Sequence, residues 1–439
     1  MSKLEESKSI SGNQMVTDRE RDYKSIARKI TWALFANQAL ASTGLIAFAV
    51  VAPIVGVQLV QETSLAGLPT AVSQVAGALT AFLWGFLMDR LGRRTGLVLG
   101  SASGILGALL AITAIIIGSF ALFLFSMVFL GASNSAVQLS RFVAAEVNLP
   151  EARGRAIANV VLGGSVGAIL SYVLVSPLGD LMKSSGFDQF TGAFVLTFIM
   201  FVLSAIVLSS ALRPEPREIG RELGRLHPGP SGNAGTVRPL REILRVPAVV
   251  TAMTAMILGH FVMVLVMVIT SVHMQQHAHN LRDITMVMSL HTIGMFAFSV
   301  FSGRLADRWG RGPVIMVGAL GLAFASIGAT LSPDVFPLAA SLFLLGLGWN
   351  FCFVGGSSLF ADQLSHAERA RTQGFNDLLL GAAAALGSIS SGLIFSAVGY
   401  NTLGIIAAIA AFVPLSLTTW WQLTHAQVIN ARSSIGSQH

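Results

Sequence analysis

Apolar residues follow one another in long runs along this chain, separated by short polar segments. Twelve of the runs contain about twenty residues or more, the length at which an α-helix crosses the hydrocarbon core of a bilayer. The pattern therefore predicts an all-α membrane protein with twelve transmembrane helices. Their predicted limits are 30–58, 64–88, 94–117, 119–145, 155–178, 190–212, 247–272, 284–306, 312–331, 335–361, 371–397 and 402–424.

The polar segments arrange the twelve runs in two groups of six. The longest internal polar segment, 213–246, holds five prolines and seven arginines and separates a first half, 30–212, from a second half, 247–424. Polar tails, 1–29 and 425–439, flank the two halves. The sequence predicts two six-helix halves joined by a hydrophilic linker that is too short to form an enzyme domain.

Composition supports a membrane protein, since 53% of the residues are hydrophobic, 11% are charged and the mean hydropathy is +0.71. With twelve spans, 26 of the 28 lysines and arginines fall on the side of the linker and tails, the exceptions being Lys183 and Arg282. This positive-inside bias predicts a plasma (inner) membrane protein with both termini and the linker in the cytoplasm. The net charge of +7 therefore reports membrane orientation, and we expect no nucleic-acid partner.

A ten-residue polar segment, which we call the hinge motif, occurs twice. The first copy, GFLMDRLGRR, runs from Gly85 to Arg94 and the second, GRLADRWGRG, from Gly303 to Gly312, a spacing of 218 residues. These copies resemble the cytoplasmic-loop signature of the major facilitator superfamily, G-x-x-x-D-[RK]-x-G-[RK]-[RK], and the second departs from it at Gly312. The resemblance implies the major facilitator fold, with two pseudo-symmetric halves and a substrate site near mid-membrane between them.

The resemblance also implies a conformational latch beside the two hinge motifs. In this family an acid at the end of a neighbouring helix reaches the motif arginine, which here pairs Glu146 with Arg93 and Asp362 with Arg311. The resemblance implies that the latch holds the outward-open state and breaks on inward opening; the alternative is a static surface ion pair. Besides these four, the expected members are Gly85, Asp89, Arg90, Gly92, Gly303, Asp307, Arg308 and Gly310.

Polar residues on the fourth apolar run indicate a substrate cavity. Asn134, Gln138 and Arg141 lie at i, i+4 and i+7, within about 60° of one another on a helix. A charged side chain at membrane depth is costly, so we expect Arg141 to face water, a partner acid or the substrate. A structural arginine near the inner interface is the alternative. Further polar or aromatic cavity candidates, each equally consistent with helix-to-helix hydrogen bonding, are Asn37, Gln38, His260, Trp349 and Asn350.

Two titratable residues within predicted spans of the second half are candidates for proton coupling, Asp377 and His291. Burial disfavours the charged form of an isolated carboxylate, so Asp377 could take up and release a proton as its exposure alternates. Asp377 could equally cap or pair with a neighbouring helix. The fifth run partly resembles an antiporter signature, with Gly154, Gly163 and Gly167 in place and Ala168 instead of its proline.

These features predict secondary active transport of a small organic solute by alternating access, driven by protons or another coupling ion. Uptake of a nutrient, vitamin or organic anion and efflux of amphiphilic compounds remain open alternatives. A non-transporting membrane receptor on the same fold is a more remote alternative. The chain has no phosphate-binding G-x-x-x-x-G-K-[ST] segment and one cysteine, so we expect no enzyme activity, cofactor or metal site. We expect the protein to function as a monomer in the lipid bilayer.

Overall fold

The computed structural model describes the backbone of residues 2–149, 152–226 and 238–436. Side chains are described for 23–149, 152–223, 238–365, 368 and 371–424. Part of the predicted linker, 227–237, therefore lies outside the described residues, as do the first residue and the last three residues of the predicted tails.

The described chain folds into α-helices, with one 3₁₀ turn at Thr63–Leu65. The first half and the linker contain α1 (Ser2–Val60), α2 (Leu68–Leu91), α3 (Arg93–Ile117), α4 (Phe120–Glu146), α5 (Arg153–Ser184), α6 (Thr191–Ala211), α7 (Pro216–Leu226) and α8 (Leu240–Ile243). The second half contains α9 (Pro247–Gln276), α10 (Leu281–Phe296), α11 (Ser299–Trp309), α12 (Arg311–Leu331), α13 (Val335–Asp362) and α14 (His366–Gly436).

Eleven helical stretches of the described chain are long and apolar enough to cross a membrane. The last of them, Arg371–Thr424, has 54 residues and is interrupted at Gly399, whose φ of 78° and ψ of 175° reverse the chain. The two arms of α14 are therefore separate crossings, which gives the twelve predicted. The eighth crossing consists of two helices, because α10 ends at Phe296 and α11 begins at Ser299.

The two halves repeat one packing pattern. In the first half α1 packs on α5 and α6, and α3 packs on α4 and α6. In the second half α9 packs on α14, and α12 packs on α13 and α14. The halves meet where α2 contacts α14 and where α5 contacts α10.

Three large hydrophobic clusters show how the halves are joined. On the side opposite the hinge motifs, one continuous core contains buried residues of both halves, such as Val51 of α1, Val266 of α9 and Ile284 of α10. On the hinge-motif side the core is divided in two. One part is built around Leu34 and Val143 of the first half and the other around Val249 and Phe360 of the second.

Direct contacts between the halves follow the same division. On the side opposite the hinge motifs, the Ser388 hydroxyl donates to the Gly67 carbonyl at 2.7 Å. A Cβ added at Gly392 would lie 2.5 Å from the Ser64 carbonyl oxygen, so backbone packs on backbone there. On the hinge-motif side, a Cβ added at Gly85 or Gly303 would meet no atom within 4 Å. The structure is therefore closed on one side of the membrane and separated on the side of the hinge motifs.

Candidate functional site

The first hinge motif turns sharply between α2 and α3. Gly92 takes a φ of +95°, a value that L side chains rarely adopt, and allows Arg93 to begin the next helix. Arg93 then donates from Nε to Glu146 Oε2 at 2.8 Å and from Nη1 to Asp89 Oδ1 at 2.8 Å. The predicted Glu146–Arg93 pair is thus present, and it ties α3 to the end of α4. Arg90 instead lies over the Phe86 ring, with 4.4 Å between Cζ and the ring centroid.

A third acid joins this motif from the linker, and it was not among the sequence candidates. Glu215 Oε1 accepts hydrogen bonds from the backbone N–H groups of Arg93 at 2.5 Å and Arg94 at 3.3 Å. The first N–H groups of a helix have no partner within it, so this carboxylate caps α3 from a distant part of the chain. The linker is therefore anchored on the hinge of the first half.

The second hinge motif repeats this arrangement with small differences. Gly310 has a φ of +94°, almost that of Gly92, and Arg311 begins α12. Arg311 donates to Asp307 at 2.9 Å and to Asp362 at 3.1 Å, and it also bonds the Ala306 carbonyl at 2.8 Å. At Gly312, where the motif departs from the family signature, an added Cβ would collide with the Gln422 side chain. Exposed Arg308 precedes this turn.

These ion pairs are intact although the two halves are separated on the same side of the molecule. The expectation that inward opening breaks the pairs is therefore not met in this structure. The physical reason is that Arg93–Glu146 joins α3 to α4 and Arg311–Asp362 joins α12 to α13. Each pair lies within one half, so moving the halves apart as rigid bodies does not stretch it.

Of the predicted cavity residues, those on α4 lie on its accessible face. Gln138 is exposed, and Asn134 and Arg141 are partly exposed. Ser133, on another face of the same helix, is buried. Arg141 stacks over the Phe142 ring at 4.9 Å, and its buried Nε has no hydrogen-bond partner in the described part of the chain. The guanidinium is thus partly free to bind another group.

Arg141 and Asp377 interact electrostatically across the two halves. Among the described residues they form no direct ion pair, and Asp377 Oδ1 instead accepts from Gln373 Nε2 at 2.9 Å. Asp377 is exposed on the first arm of α14. An arginine of the first half and an exposed carboxylate of the second half therefore lie near enough to influence each other's charge.

Two other cavity candidates are buried inside the first half. Asn37 is 1% exposed, and its Oδ1 accepts from Ser204 of α6 at 2.6 Å. Gln38 donates to Ser42 at 3.1 Å and accepts from Ser140 of α4 at 3.2 Å. Their contacts hold α1 against its neighbours rather than placing these side chains in the opening.

Asn350 is also occupied by structural contacts. Its amide donates to the Met295 carbonyl at 2.6 Å and to the Ser299 hydroxyl at 2.9 Å, and its Oδ1 accepts from Ser302 at 2.6 Å. These three residues flank the break between α10 and α11. Asn350 therefore satisfies polar groups that the interrupted helix leaves free, which is the helix-to-helix hydrogen bonding that the sequence left open as an alternative.

Trp349 and His260 form an aromatic cluster in the second half. The indole Nε1 donates to His260 Nδ1 at 2.9 Å, which requires that nitrogen to be unprotonated. The Trp349 ring stacks on Phe353 with centroids 5.0 Å apart and meets the edge of Phe296 at 6.0 Å. Trp349 is 7% exposed, whereas His260 is partly exposed.

His291 lies away from the accessible surface. It is 1% exposed, and its Nδ1 lies 2.8 Å from the Leu342 carbonyl oxygen of α13. Because a carbonyl accepts but cannot donate, Nδ1 carries the proton. The other ring nitrogen has no partner in the described chain. Of the two coupling candidates, Asp377 is exposed and His291 is buried.

The glycines of the partial antiporter signature bring α5 close to α1. A Cβ at Gly163 would lie 2.8 Å from the Phe35 carbonyl oxygen, and one at Gly167 would lie 2.8 Å from the Ala39 carbonyl oxygen. A Cβ at Gly154 would meet no atom within 4 Å. Two of the three positions thus require small residues for packing, which is a common use of glycine between membrane helices.

The far end of the linker is anchored on the second half, a contact that sequence reasoning also missed. Arg238 Nε donates to Glu368 Oε1 at 2.8 Å, and Arg238 Nη2 donates to Glu368 Oε2 at 3.0 Å. The Ser365 N–H donates to the same carboxylate at 3.0 Å. These hydrogen bonds, the arginine's first, hold the pKa of Glu368 well below its usual range. The linker therefore bridges the hinge of the first half and the α13–α14 connection of the second.

The fold and its hinges are those of a membrane transporter. The chain matches the profile of the Major Facilitator Superfamily over residues 34–281 and 252–434, and it belongs to this family of non-enzymatic transport proteins. It is a multi-pass membrane transporter.

Individual relatives cover almost the whole chain. It is 31% identical over 399 residues to the uncharacterized MFS-type transporter YdeG of Bacillus subtilis, covering 90% of this chain and 93% of that protein. It is 30% identical over 365 residues to the riboflavin transporter RfnT of Brucella anthropi, and this match covers 83% of this chain and 88% of that protein.

Solved structures show the same fold at low sequence identity. The inward-facing, occupied structure of a bacterial homologue of the human lysosomal transporter Spinster is 15% identical, with a TM-score of 0.68, covering 89% of this chain and 96% of that one. The partially occluded, inward-open xylose transporter XylE of E. coli is 17% identical, with a TM-score of 0.62, and the match covers 88% of this chain and 97% of that one.

Proposed function

We propose that this chain is a secondary active transporter that moves a small organic solute across the plasma membrane by alternating access. The observation that carries this proposal is the packing of the halves, which share one core on one side and have separate cores on the other. A substrate site between them can then face the two sides in turn. The proposal includes cytoplasmic termini, a cytoplasmic linker and a monomeric working unit, supported by the positive-inside bias and the single-chain family fold.

We propose that the solute has a planar aromatic part and a polar or anionic group. Arg141, with its unpaired Nε, offers a hydrogen bond and a positive charge to such a group. The Trp349, Phe353 and Phe296 rings and the partly exposed His260 offer an aromatic surface on the opposite half. The similarity to a riboflavin transporter over most of the chain supports a flavin-like solute as the first cargo to test.

We propose that protons drive this transport, with Asp377 as the coupling residue. Asp377 is exposed and interacts electrostatically with Arg141 of the other half. A carboxylate that gains and loses a positively charged neighbour as the halves move would change its proton affinity between the two states. That is the property that a coupling site requires.

Export of amphiphilic compounds is the second candidate function. It is supported by a local match, 36% identical over 83 residues, to the multidrug resistance protein MdtL of E. coli. That match covers 19% of this chain, whereas the riboflavin transporter match covers 83%. We therefore place transport of a flavin-like solute first.

A flux experiment tests these proposals together. Purified protein in liposomes is given an imposed pH gradient, and accumulation of labelled riboflavin or ethidium is followed with and without an uncoupler. Gradient-dependent riboflavin accumulation supports proton-coupled uptake, and ethidium movement against the proton flow supports export. Saturable binding of a solute without any flux would overturn transport and favour a receptor.

A further inference from the structure

A groove of about 540 Å³ lies between α1 and α5 on the hinge-motif side, within the first half. Lys24 and Arg28 of α1 and Arg155 of α5 line its outer end, and all three are exposed. In the described part of the chain none of them forms an ion pair or a side-chain hydrogen bond. Three positive charges without a partner among the described side chains therefore surround one end of the groove.

The inner end of the groove is apolar. Trp32 is 64% exposed although it lies in the first span, and it contacts the edge of Phe35 with ring centroids 5.3 Å apart. On α5, Leu162 is 38% exposed and lies two helical turns beyond Arg155, a depth of about 10 Å. Polar and apolar ends are thus separated along the direction that crosses the membrane.

The apolar surface continues beyond the groove along α5. Val166, Ile169 and Val173 lie on the same helical face as Leu162 and are 37%, 52% and 53% exposed. A Cβ added at Gly164, on the opposite face of α5, would lie 3.8 Å from the Phe296 ring of the second half, so the stripe points away from that half. Exposed aliphatic residues over such a length mark a surface that faces lipid. The groove therefore opens toward the bilayer.

We propose that this groove binds an anionic phospholipid from the leaflet on the hinge-motif side. The lipid phosphate lies between Arg28 and Arg155 with Lys24 nearby, and one acyl chain follows Trp32 and Leu162 onto the α5 stripe. A soluble anion would match the charges but leave the aromatic and aliphatic surface uncovered. A zwitterionic lipid would fill the apolar part but leave the positive charges without a net counter-charge.

Thermal unfolding of the full chain in detergent with added lipid tests the proposal. The probes are phosphatidylglycerol, phosphatidylcholine with the same acyl chains, and soluble glycerol 3-phosphate. Phosphatidylglycerol is expected to raise the unfolding temperature more than phosphatidylcholine, and glycerol 3-phosphate is expected to leave it unchanged. The variant R28Q/R155Q is expected to lose this preference, with an apparent affinity for phosphatidylglycerol about thirtyfold lower, or about fivefold for each basic residue.

Lys29→Gln is the matched control, because Lys29 is an exposed neighbour on α1 that does not line the groove. It is expected to keep the preference for phosphatidylglycerol. The proposal is overturned if R28Q/R155Q keeps that preference, or if K29Q loses it to the same extent. Stabilisation by glycerol 3-phosphate alone would show a site for soluble anions instead of a lipid.

Fluorescence gives a second measurement, which reports contact between the lipid and Trp32 instead of the unfolding temperature. Trp32 emission is obtained as the difference between the native protein and the Trp32→Phe variant in vesicles of dibrominated lipid. Dibrominated phosphatidylglycerol is expected to quench Trp32 more strongly than the matching phosphatidylcholine, and Arg155→Gln is expected to reduce this difference. Equal quenching by the two lipids would mean ordinary contact with bulk lipid and would overturn the site.

Discussion

Arg93 donates to Glu146 at 2.8 Å while the halves are separated on that same side of the molecule. The pair therefore braces α3 against α4 within the first half and is compatible with inward opening. What the opening exposes is the surface around Gly85, where an added Cβ meets no atom. We infer that this surface contacts the other half when the hinge-motif side closes, and that Arg93 and its acids hold it in shape for that contact.

Arg93→Ala is expected to slow transport while leaving protein in the membrane. Its ion pairs are partly exposed, so losing the main pair is expected to remove about 1 kcal/mol of interaction free energy. The same increase in the activation free energy of transport would lower the initial rate about fivefold. The measurement is solute flux in liposomes, normalised to reconstituted protein. Glu222→Gln on α7, an exposed carboxylate on the same side, is the control and is expected to transport normally. Equal rates for R93A and E222Q would contradict the bracing role.

Glu215→Gln tests the cap that the linker places on α3. A neutral amide accepts the Arg93 and Arg94 N–H groups less strongly than a carboxylate, so the variant is expected to lose about 1 kcal/mol of stability. The measurement is the unfolding temperature in detergent. Glu218→Gln is the matched control, an exposed acid in the first turn of α7, and is expected to leave the temperature unchanged. A similar decrease in both variants would indicate a general charge effect.

Features that depend on residues close together in the sequence could be predicted, whereas contacts between distant residues could not. Twelve crossings and two hinges follow from apolar runs and a repeated ten-residue segment, and both are confirmed as features of the fold. Glu215 and Arg238 were missed because their partners lie more than a hundred residues away and the proline-rich linker has no periodic pattern. Asn350 was left open between a cavity role and a helix contact, because a midspan asparagine gives the same sequence signal whether it binds a ligand or a neighbouring helix.

Asn134 and Asn350 lie 216 residues apart, on the fourth crossing of each half, and provide a direct comparison. Asn350 satisfies polar groups at the α10–α11 break, whereas Asn134 has no side-chain hydrogen bond in the described chain. Asn350→Ala is expected to lower the free energy of unfolding by about 1–3 kcal/mol, because buried polar groups lose their hydrogen-bond partners. Asn134→Ala is expected to leave stability unchanged and to weaken transport if the α4 stripe lines the pathway. Thermal unfolding and flux, measured on both variants, separate the two roles, and an equally destabilised Asn134→Ala would contradict this assignment.

Cysteine labelling tests whether the α4 stripe is open to water. Cys352 is buried, so the background is Cys352→Ser, whose hydroxyl can replace the thiol contact with the Ile315 carbonyl. Gln138→Cys is expected to react with a small polar thiol reagent added from the hinge-motif side, and a transported solute is expected to slow the reaction. Ser133→Cys, buried on the same helix, is the control and is expected to stay unlabelled. Equal labelling at both positions would mean that the helix, rather than one face of it, is accessible.

Asp377→Asn tests the proton coupling. The carboxylate interacts electrostatically with Arg141 of the other half without pairing to it, so its proton affinity can change when the halves move. The asparagine keeps the shape and the bond to Gln373 but cannot titrate. We expect the variant to exchange solute across liposomes with equal concentrations on both sides, but to lose most of the accumulation that a pH gradient drives. Asp307→Asn is the control, an exposed acid outside the opening, and is expected to keep gradient-driven accumulation even if its rate falls. Wild-type accumulation by D377N would exclude Asp377 as the coupling site, and loss of exchange as well would assign it to solute binding.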